Sequence, residues 1–399
     1  MSPGSGPPTP PFDPAAAYPR FSQAEMQRRW AAVRELLAEA GADALVVTGH
    51  AASRNEVQYL TNAPVRWESW LVATGDLDDA RLHVQLFNHV PTMAAWSTVD
   101  TTWAGSNPVA TVAARLRERG ADRGGIALLG PVSARAMAAL RAALPDARLI
   151  DMGAAFIRHR LVKSADELAW MAYGAALCDY AVATFVAEAR PGMGEDQLTW
   201  LLESGHARIG GQGGICFLMT APMAGGGAVV PAQVPSRRRT GPDDIAVFEL
   251  SAGFGGYTGQ VLRTVALGGP PSAVVRDLHA VADETFDALL AAIRPGVTAA
   301  EIEAVGGMVD RAGLTIVDDL VHGYGGGYLP PVLRTPAARH VPPPDLELRP
   351  GMCLVLQPNI VSVDGRHGVQ TGELVVITET GARSLHRAPR GLLRVASAG

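Results

Sequence analysis

The sequence predicts an N-terminal α/β domain followed by an α+β domain with a curved antiparallel sheet. Up to about residue 150, short apolar strands alternate with amphipathic helices, which is typical of an α/β layer. Beyond that point, long helices flank a series of strand candidates. A Pro-Gly turn followed by a capped helix and a glycine stop occurs twice, about a hundred residues apart, which indicates a domain of two similar halves.

The N-terminal domain is expected over residues 19–157, after a tail at 1–18 whose Pro, Gly and Ser content predicts disorder. In chain order, its expected elements are a helix from the Ser22 cap to Gly41, the strand ADALVVTG, strands at 70–73 and 83–87, a helix over 109–119, the strand GIALLG, a helix over 133–144 and the strand ARLIDM.

The second domain is expected over residues 158–399, where the segment HRLVKS leads into the long helix ADELAWMAYGAALCDYAVATFVAEA. Its strand candidates are ICFLMT, DIAVFELSAGF, YTGQVLRTVALG, CLVLQPNIV and GELVVIT. Helices that flank these strands predict the curved antiparallel sheet.

Composition limits the kind of partner. Charged residues make up 18% of the chain, against about 25% in an average protein, and the net charge is −5. Nucleic-acid binding requires concentrated Lys and Arg, so we expect no nucleic-acid partner. The three cysteines are far apart, which fits a reducing cytoplasm. With no signal-like start and no apolar run of about 18 residues, we expect neither secretion nor a membrane span.

Five motifs resemble the creatinase, aminopeptidase P and methionine aminopeptidase family, whose C-terminal domain has the pita-bread fold. They are HRLVKSADELAWM, PSRRRTGPDDIAVFELSAGFGGYTGQVLRT, VHGYGGGYLPP, LRPGMCLVLQP and HGVQTGELVVITETG. The resemblance covers about residues 20–390. It implies a creatinase-like, ribonuclease-H-like N-terminal domain, a pita-bread catalytic domain and a homodimer that acts on a small molecule.

In the metallopeptidases of that family, two metal ions are held by two aspartates, one histidine and two glutamates. The resemblance carries these positions onto Glu249, Gln260, His322, Gln357 and Gly372. Only the histidine has the same residue type as in the metallopeptidases, and the neutral amides at two of the other positions are poor ligands for a pair of dications. We therefore expect no metal and no other cofactor.

Metal-independent relatives, creatinase and ectoine hydrolase, suggest the leading hypothesis. Ectoine hydrolases resemble the chain at Glu249, at Tyr257 eight residues later and at the pair Arg263-Thr264. We expect a metal-independent hydrolase or lyase that cleaves a C–N bond of a small amidine, guanidino or cyclic amino-acid-like substrate. Glu249 is expected to be the nucleophile or general base, and His322 the proton carrier.

The other predicted site residues bind the substrate. They are Gln260, Gln357, Tyr257, Arg263, Glu373, Arg66, Trp67 and Tyr324. Structural roles remain open for most of them: Glu249 and Arg263 could form a buried ion pair, the two glutamines could fill a lost metal site, and Glu373 could point outward. Arg66 and Trp67 belong to a loop that covers the active site in creatinase relatives, or they form a plain surface pair.

Two alternatives belong to other functional classes. One is a non-catalytic pita-bread protein that binds a peptide or protein partner. The other is a metalloenzyme similar to Xaa-Pro peptidases with altered ligands, for example Glu249, His322 and Glu373.

Overall fold

The structure is a computed structural model that describes residues 7–50, 55–74, 79–226 and 231–395. Two compact units are present, one of Phe12–Arg160 and one that contains Leu161–Gly399. The sequence prediction places the boundary between residues 157 and 158. Within the predicted tail, residues 7–18 carry no helix or strand, and residues 1–6 lie outside the described residues.

The N-terminal unit is an α/β layer structure. Its helices are α1 (Gln23–Ala40), α2 (Asn55–Thr61), α3 (Val90–Trp96), α4 (Pro108–Glu118), α5 (Ala134–Ala143) and α6 (Gly153–Arg160). Its strands are β1 (Ala44–Gly49), β2 (Ser69–Ala73), β3 (Arg81–Val84), β4 (Asp100–Trp103), β5 (Gly125–Leu129) and β6 (Arg148–Asp151). The sheet order is β4-β3-β2-β1-β5-β6. Successive residues of β1 alternate between two apolar clusters, Leu45 and Val47 in one, Ala44 and Val46 in the other, because strand side chains point to alternate faces.

Two helix pairs frame the C-terminal unit. The helices are α7 (Ala165–Glu188), α8 (Glu195–Ala207), α9 (Ala273–Ala292) and α10 (Ala299–Arg311). Helix α7 begins at a capping box between Ser164 and Glu167, and α10 begins at one between Thr298 and Glu301. Helices α7 and α8 pack together, as do α9 and α10, so each predicted Pro-Gly turn joins two packed helices.

The C-terminal sheet is antiparallel along its main path, β13-β12-β14-β17-β10-β8-β7. The strands of this unit are β7 (Gln212–Pro222), β8 (Asp244–Phe254), β9 (Tyr257–Thr258), β10 (Val261–Ala266), β11 (Leu314–Thr315), β12 (Val321–Tyr324), β13 (Tyr328–Leu333), β14 (Cys353–Leu356), β15 (Asn359–Ser362), β16 (Gly368–Gln370), β17 (Gly372–Ile377), β18 (Ala382–Ser384) and β19 (Leu393–Arg394).

One hydrogen bond demonstrates how strongly this sheet curves. Strands β8 and β12 are four steps apart, which is about 19 Å in a flat sheet at 4.8 Å per step. The Tyr324 hydroxyl on β12 nevertheless donates to Ser251 Oγ on β8 at 3.1 Å. The sheet therefore wraps around the side that carries Ser251 and Tyr324, which we call the concave face. The predicted curved antiparallel sheet is confirmed.

Helix α7 covers the opposite face of this sheet. Its Phe185 ring lies 5.1 Å from the ring of Phe248 on β8. Among the described residues, α7 is the one helix long and apolar enough to cross a membrane, but 67% of its apolar window is buried inside the protein. That burial is typical of the core helix of a globular domain.

Candidate active site

Strand alternation puts two of the predicted site residues on the concave face of β8 and β10. Glu249 is two residues before Ser251 on β8, and the two side chains therefore share a face. Leu262 on β10 pairs directly with Glu249, and Gln260 lies two residues before Leu262. The Gln260 amide reaches Glu249 and donates a hydrogen bond from Nε2 to its Oε1.

The same register brings two further predicted residues to this face. His322 on β12 lies two residues before Tyr324 and opposite Val355 on β14. Gln357 follows Val355 by two residues, so it shares the face of His322. Glu249, Gln260, His322 and Gln357 are thus all buried on the concave face.

Glu249 is held in an environment that favours its protonated form. The residue is 7% exposed. Burial, and then the charges of Asp318 and Asp319, raise the pKa of its carboxyl to about 8, although the Gln260 hydrogen bond opposes the shift. At neutral pH, Glu249 is therefore an acid that can donate a proton.

His322 has the opposite character. Its side chain is fully buried, and burial lowers the pKa of its imidazole to about 4. Nδ1 lies 3.0 Å from the Gly323 carbonyl oxygen and must donate to it, so the uncharged ring keeps its lone pair on Nε2. Among the described residues, Nε2 has no partner at ordinary hydrogen-bond distance, although the Gln357 side chain is near enough to act on the ring. Nε2 is available to accept a proton.

Three residues that the sequence analysis did not single out also belong to this face. The charges of Asp318 and Asp319, just before β12, act on Glu249. Tyr328 on β13 stacks on His322, with ring centroids 4.1 Å apart and an interplanar angle of 19°. The two adjacent acids ahead of the histidine motif were the available signal for the first two. No sequence signal marked Tyr328.

Arg263, Glu373 and Tyr257 are not directed at this group of residues. Arg263 and Glu373 lie on the opposite face of the sheet, where Arg263 Nη2 donates to Glu373 Oε1 at 2.5 Å. The Tyr257 hydroxyl donates to Glu167 Oε1 at 2.7 Å and joins β9 to α7. The structure thus gives these three predicted substrate-binding residues structural contacts instead.

The remaining predicted residues have mixed positions. Tyr324 lies on the concave face beside His322, with its hydroxyl bonded to Ser251 and to Thr258. Burial raises the pKa of this hydroxyl to about 12. Arg66 and Trp67 belong to the N-terminal unit, where both are exposed, and their predicted role in substrate binding stays a prediction.

The donor set does not fit the pair of metal ions that the family resemblance implies. A Cβ on Gly372 would lie 2.7 Å from the Leu356 carbonyl oxygen, so this position has no room for a side chain. The neighbouring Glu373 is on the other face. Of the family positions only Glu249 and His322 offer a strong ligand, and the described residues contain no group of three or more His, Cys, Asp or Glu that could hold a metal ion.

A curved antiparallel sheet with an acid, an imidazole and two amides on its concave face defines a hydrolase of the pita-bread class. The model of metallopeptidase family M24 matches residues 169–379, more than half of the chain, and the chain belongs to that family. The predicted family and fold are therefore confirmed.

Relatives and solved structures agree with this assignment. The Xaa-Pro dipeptidase of Lactobacillus helveticus is 28% identical over 257 residues, which is 63% of this chain and 67% of that protein. The crystal structure of X-Pro aminopeptidase from Thermotoga maritima has a TM-score of 0.80 at 19% identity and covers 92% of this chain and 99% of its own. Dipeptidase PepE from Mycobacterium ulcerans gives 0.76 at 24% identity, with 94% and 99% covered.

These relatives correct the predicted activity. The expectation of a non-peptide C–N hydrolase or lyase, acting on an amidine, guanidino or cyclic amino-acid-like substrate, is wrong. The matched proteins are named as dipeptidases, a peptidase and an X-Pro aminopeptidase. They agree with the Xaa-Pro peptidase-like alternative instead.

Proposed function

We propose that this chain hydrolyses the peptide bond of a short peptide, with Xaa-Pro dipeptides as the first substrates to test. The observation that carries the proposal is that Glu249 and His322 are both buried on one concave face, where burial raises the pKa of the carboxyl and lowers the pKa of the imidazole. Two groups whose environments drive their pKa values in opposite directions form an acid and a base at the same pH. The names of the sequence relatives supply the peptide as substrate class.

In the proposed reaction, His322 Nε2 takes a proton from a water molecule as the water oxygen forms its bond to the peptide carbonyl carbon. Glu249 donates its proton to the peptide nitrogen as the C–N bond breaks. The products are a carboxylic acid and an amine, and the proton on His322 returns to the Glu249 carboxylate. Because the donor set does not fit a metal pair, no step is assigned to a metal ion.

Gln260 has a positioning role in this scheme. Its amide Nε2 donates to Glu249, and its Oε1 has no hydrogen-bond partner among the residues described. A neutral carboxyl and a primary amide have complementary donors and acceptors, so Gln260 orients the acid without changing its charge. An aspartate at this position would add a charge and raise the pKa of Glu249 further.

The test is hydrolysis of a panel of Xaa-Pro dipeptides, measured by release of the free amino acid. Replacing Glu249 by Gln removes the transferable proton, and we expect kcat/KM to fall by about 10²–10⁴-fold, the usual contribution of a general acid. Glu284 is an exposed acid on α9, so Glu284→Gln is the matched control and should keep full activity. Full activity in Glu249→Gln, or no hydrolysis of any peptide by the native chain, would contradict the proposal.

A further inference from the structure

The proposed reaction creates a negative charge that neither Glu249 nor His322 stabilises. As the water oxygen bonds to the peptide carbonyl carbon, the carbonyl oxygen becomes an oxyanion. His322 serves the water and Glu249 serves the peptide nitrogen, so neither donates a hydrogen bond to that oxygen. A further donor on the concave face is needed to stabilise it.

Three hydroxyl groups form a chain on this face. The Tyr324 hydroxyl donates to Ser251 Oγ at 3.1 Å and lies 2.6 Å from Thr258 Oγ1. A phenolic hydroxyl has one hydrogen, and Tyr324 gives it to Ser251, so Thr258 must be the donor to Tyr324. The chain of donors therefore runs from Thr258 through Tyr324 and ends at Ser251.

The hydroxyl at the end of this chain keeps a hydrogen for another acceptor. Ser251 is 1% exposed, and its Oγ accepts from Tyr324. A serine hydroxyl also donates one hydrogen, and no acceptor for it occurs within the described part of the chain. A hydroxyl that accepts a hydrogen bond becomes a stronger donor, because bonds in a chain polarise one another. A buried donor of this strength requires an acceptor.

Strand direction places Ser251 next to the two proposed catalytic groups. Strands β8 and β12 run the same way, because four antiparallel pairings separate them. Ser251 follows Glu249 on β8 by two residues. Tyr324 follows His322 on β12 by the same interval. The contact between Ser251 and Tyr324 therefore makes Glu249 and His322 the next facing pair along the concave face.

The interval between Glu249 and Ser251 fits one peptide unit. Two residues of extended strand span about 7 Å. A peptide nitrogen and its carbonyl oxygen lie about 2.3 Å apart, and a hydrogen bond at each end adds about 2.8 Å. One peptide bond can thus receive a proton from Glu249 at its nitrogen and a hydrogen bond from Ser251 at its oxygen.

We propose that Ser251 is a further catalytic residue, whose hydroxyl donates to the carbonyl oxygen of the scissile peptide bond and stabilises the oxyanion. Tyr324 and Thr258 are positioning residues, since they hold and polarise Ser251 and act only through it. The bond from Ser251 strengthens as charge develops on the oxygen, so it favours the transition state over the bound substrate. This assignment rests on the proposed peptidase function.

The first test is steady-state hydrolysis of Ala-Pro. Ser251→Ala should lower kcat by about 10²–10³-fold, the usual cost of losing one oxyanion donor, and should change KM far less. Tyr324→Phe leaves the Ser251 hydroxyl in place without its donor, so its kcat should fall by less. Ser204→Ala is the matched control on α8, where the Ser204 hydroxyl donates to the Leu201 carbonyl of its own helix, and it should keep full activity.

A substrate with sulfur at the scissile carbonyl distinguishes direct contact from a structural effect. Thioxo Ala-Pro presents C=S, and sulfur is a weak hydrogen-bond acceptor. Ser251→Ala should reduce the preference of kcat/KM for Ala-Pro over its thioxo analogue by at least about tenfold, the usual effect of one hydrogen bond to a charged group. A structural role would slow both substrates equally, so an unchanged preference would overturn the assignment.

A second variant guards against misfolding. Ser251→Cys keeps a side chain of similar shape and replaces the hydroxyl by a weak donor, so it should lose kcat and the preference as Ser251→Ala does. Thermal unfolding of each variant shows whether it is folded. Native kcat in either folded variant would also contradict the role of Ser251.

Calorimetric titration with a phosphinate analogue of Ala-Pro separates this assignment from the peptidase proposal. Its tetrahedral phosphorus carries an oxygen where the oxyanion would form, and it is not cleaved. Ser251→Ala should weaken its binding by at least about tenfold. If the native chain hydrolyses no Xaa-Pro dipeptide but phosphinate affinity depends on Ser251, the peptidase proposal fails and the oxyanion donor stands. Equal affinity in native chain and variant, or no binding by the native chain, would overturn the oxyanion donor.

Discussion

The two faces of the C-terminal sheet both bury polar side chains, but the Arg263–Glu373 pair on one face has its hydrogen bonds satisfied, whereas the group around Glu249 and His322 on the other does not. On the face packed against α7, the Arg263 guanidinium donates to Glu373 and to four main-chain carbonyl oxygens. Glu373 in turn accepts from Ser384 Oγ at 2.6 Å. On the concave face, Gln260, His322 and Gln357 each keep a buried atom without a partner among the described residues.

This difference separates structural from functional polar groups. A buried polar group without a partner destabilises the fold by about 1–3 kcal/mol, so a chain retains several of them together only where something other than stability requires them. The Arg263–Glu373 pair has the ionic character expected of a site, yet its contacts are complete. The concave face has fewer charges and incomplete contacts, which makes it the face that a ligand completes.

Removing one partner of the satisfied pair should have the largest effect on stability. Glu373→Ala leaves the fully buried Arg263 charge without its carboxylate, and we expect the free energy of unfolding to fall by about 3–5 kcal/mol in urea denaturation. Gln357→Ala on the concave face should lower the free energy of unfolding far less, because this substitution removes an unpartnered acceptor together with one hydrogen bond. Similar losses in the two variants would contradict the distinction between the faces.

The double variant Arg263→Met, Glu373→Leu refines this comparison. Replacing both charges by apolar side chains of similar volume removes the unpaired charge, so most of the stability should return. A double variant as unstable as Glu373→Ala would mean that packing, rather than charge, explains the loss.

The pH dependence of stability should also distinguish the two faces. The folded pKa of Glu249, about 8, lies above the ordinary 4.5, so its contribution is complete below pH 4.5 and is lost as the pH rises to 8. His322 has a folded pKa of about 4 against 6.5, so its contribution is lost as the pH falls from 6.5 to 4. On the opposite face, burial raises the pKa of Asp179, but the neighbouring His386 lowers it by more, so the net shift of the pKa is downward. The stability that this pair contributes is therefore lost only in acid.

Between pH 6.5 and 8, Glu249 is therefore the group of these three that titrates. We expect the free energy of unfolding to fall across this range by up to about 1.4 kcal/mol per pH unit. Urea denaturation at half-unit steps measures the slope. Glu249→Gln should flatten it and Glu284→Gln should leave it unchanged, whereas an unaltered slope in Glu249→Gln would show that another group titrates.

The sequence predicted the concave residues better than those on the other face. Glu249, Gln260, His322 and Gln357 were found because their motifs occur in the order of a known family, which needs no knowledge of register. Gln260 and Arg263 are three residues apart on one extended segment, so strand alternation alone places them on opposite faces. Both were predicted to bind the substrate, although this rule allows only one of them to reach the concave face.

Other features required the folded chain or the relatives. Asp318 and Asp319 precede their strand, where alternation gives no direction, and only the folded loop brings them to Glu249. Strand alternation could not reveal that β8 and β12 meet, because that contact depends on how strongly the whole sheet curves. The substrate class was predicted wrongly because similar acid and imidazole groups serve amidine and peptide hydrolysis alike.

The smallest expected effect concerns Tyr328, whose ring shields His322 although it is itself 55% exposed. Tyr328→Ala admits water to the imidazole, so the His322 pKa should rise from about 4 towards 6.5, and the acid limb of the kcat/KM profile should move with it. An aromatic pair is worth about 0.5–1.5 kcal/mol, so we expect its loss to change kcat/KM on the acid limb by roughly two- to tenfold. Tyr328→Phe keeps the stacked ring and removes only the hydroxyl, so its acid limb should stay in place. Equal shifts in both variants would mean that the hydroxyl, rather than the stacked ring, controls the environment of His322.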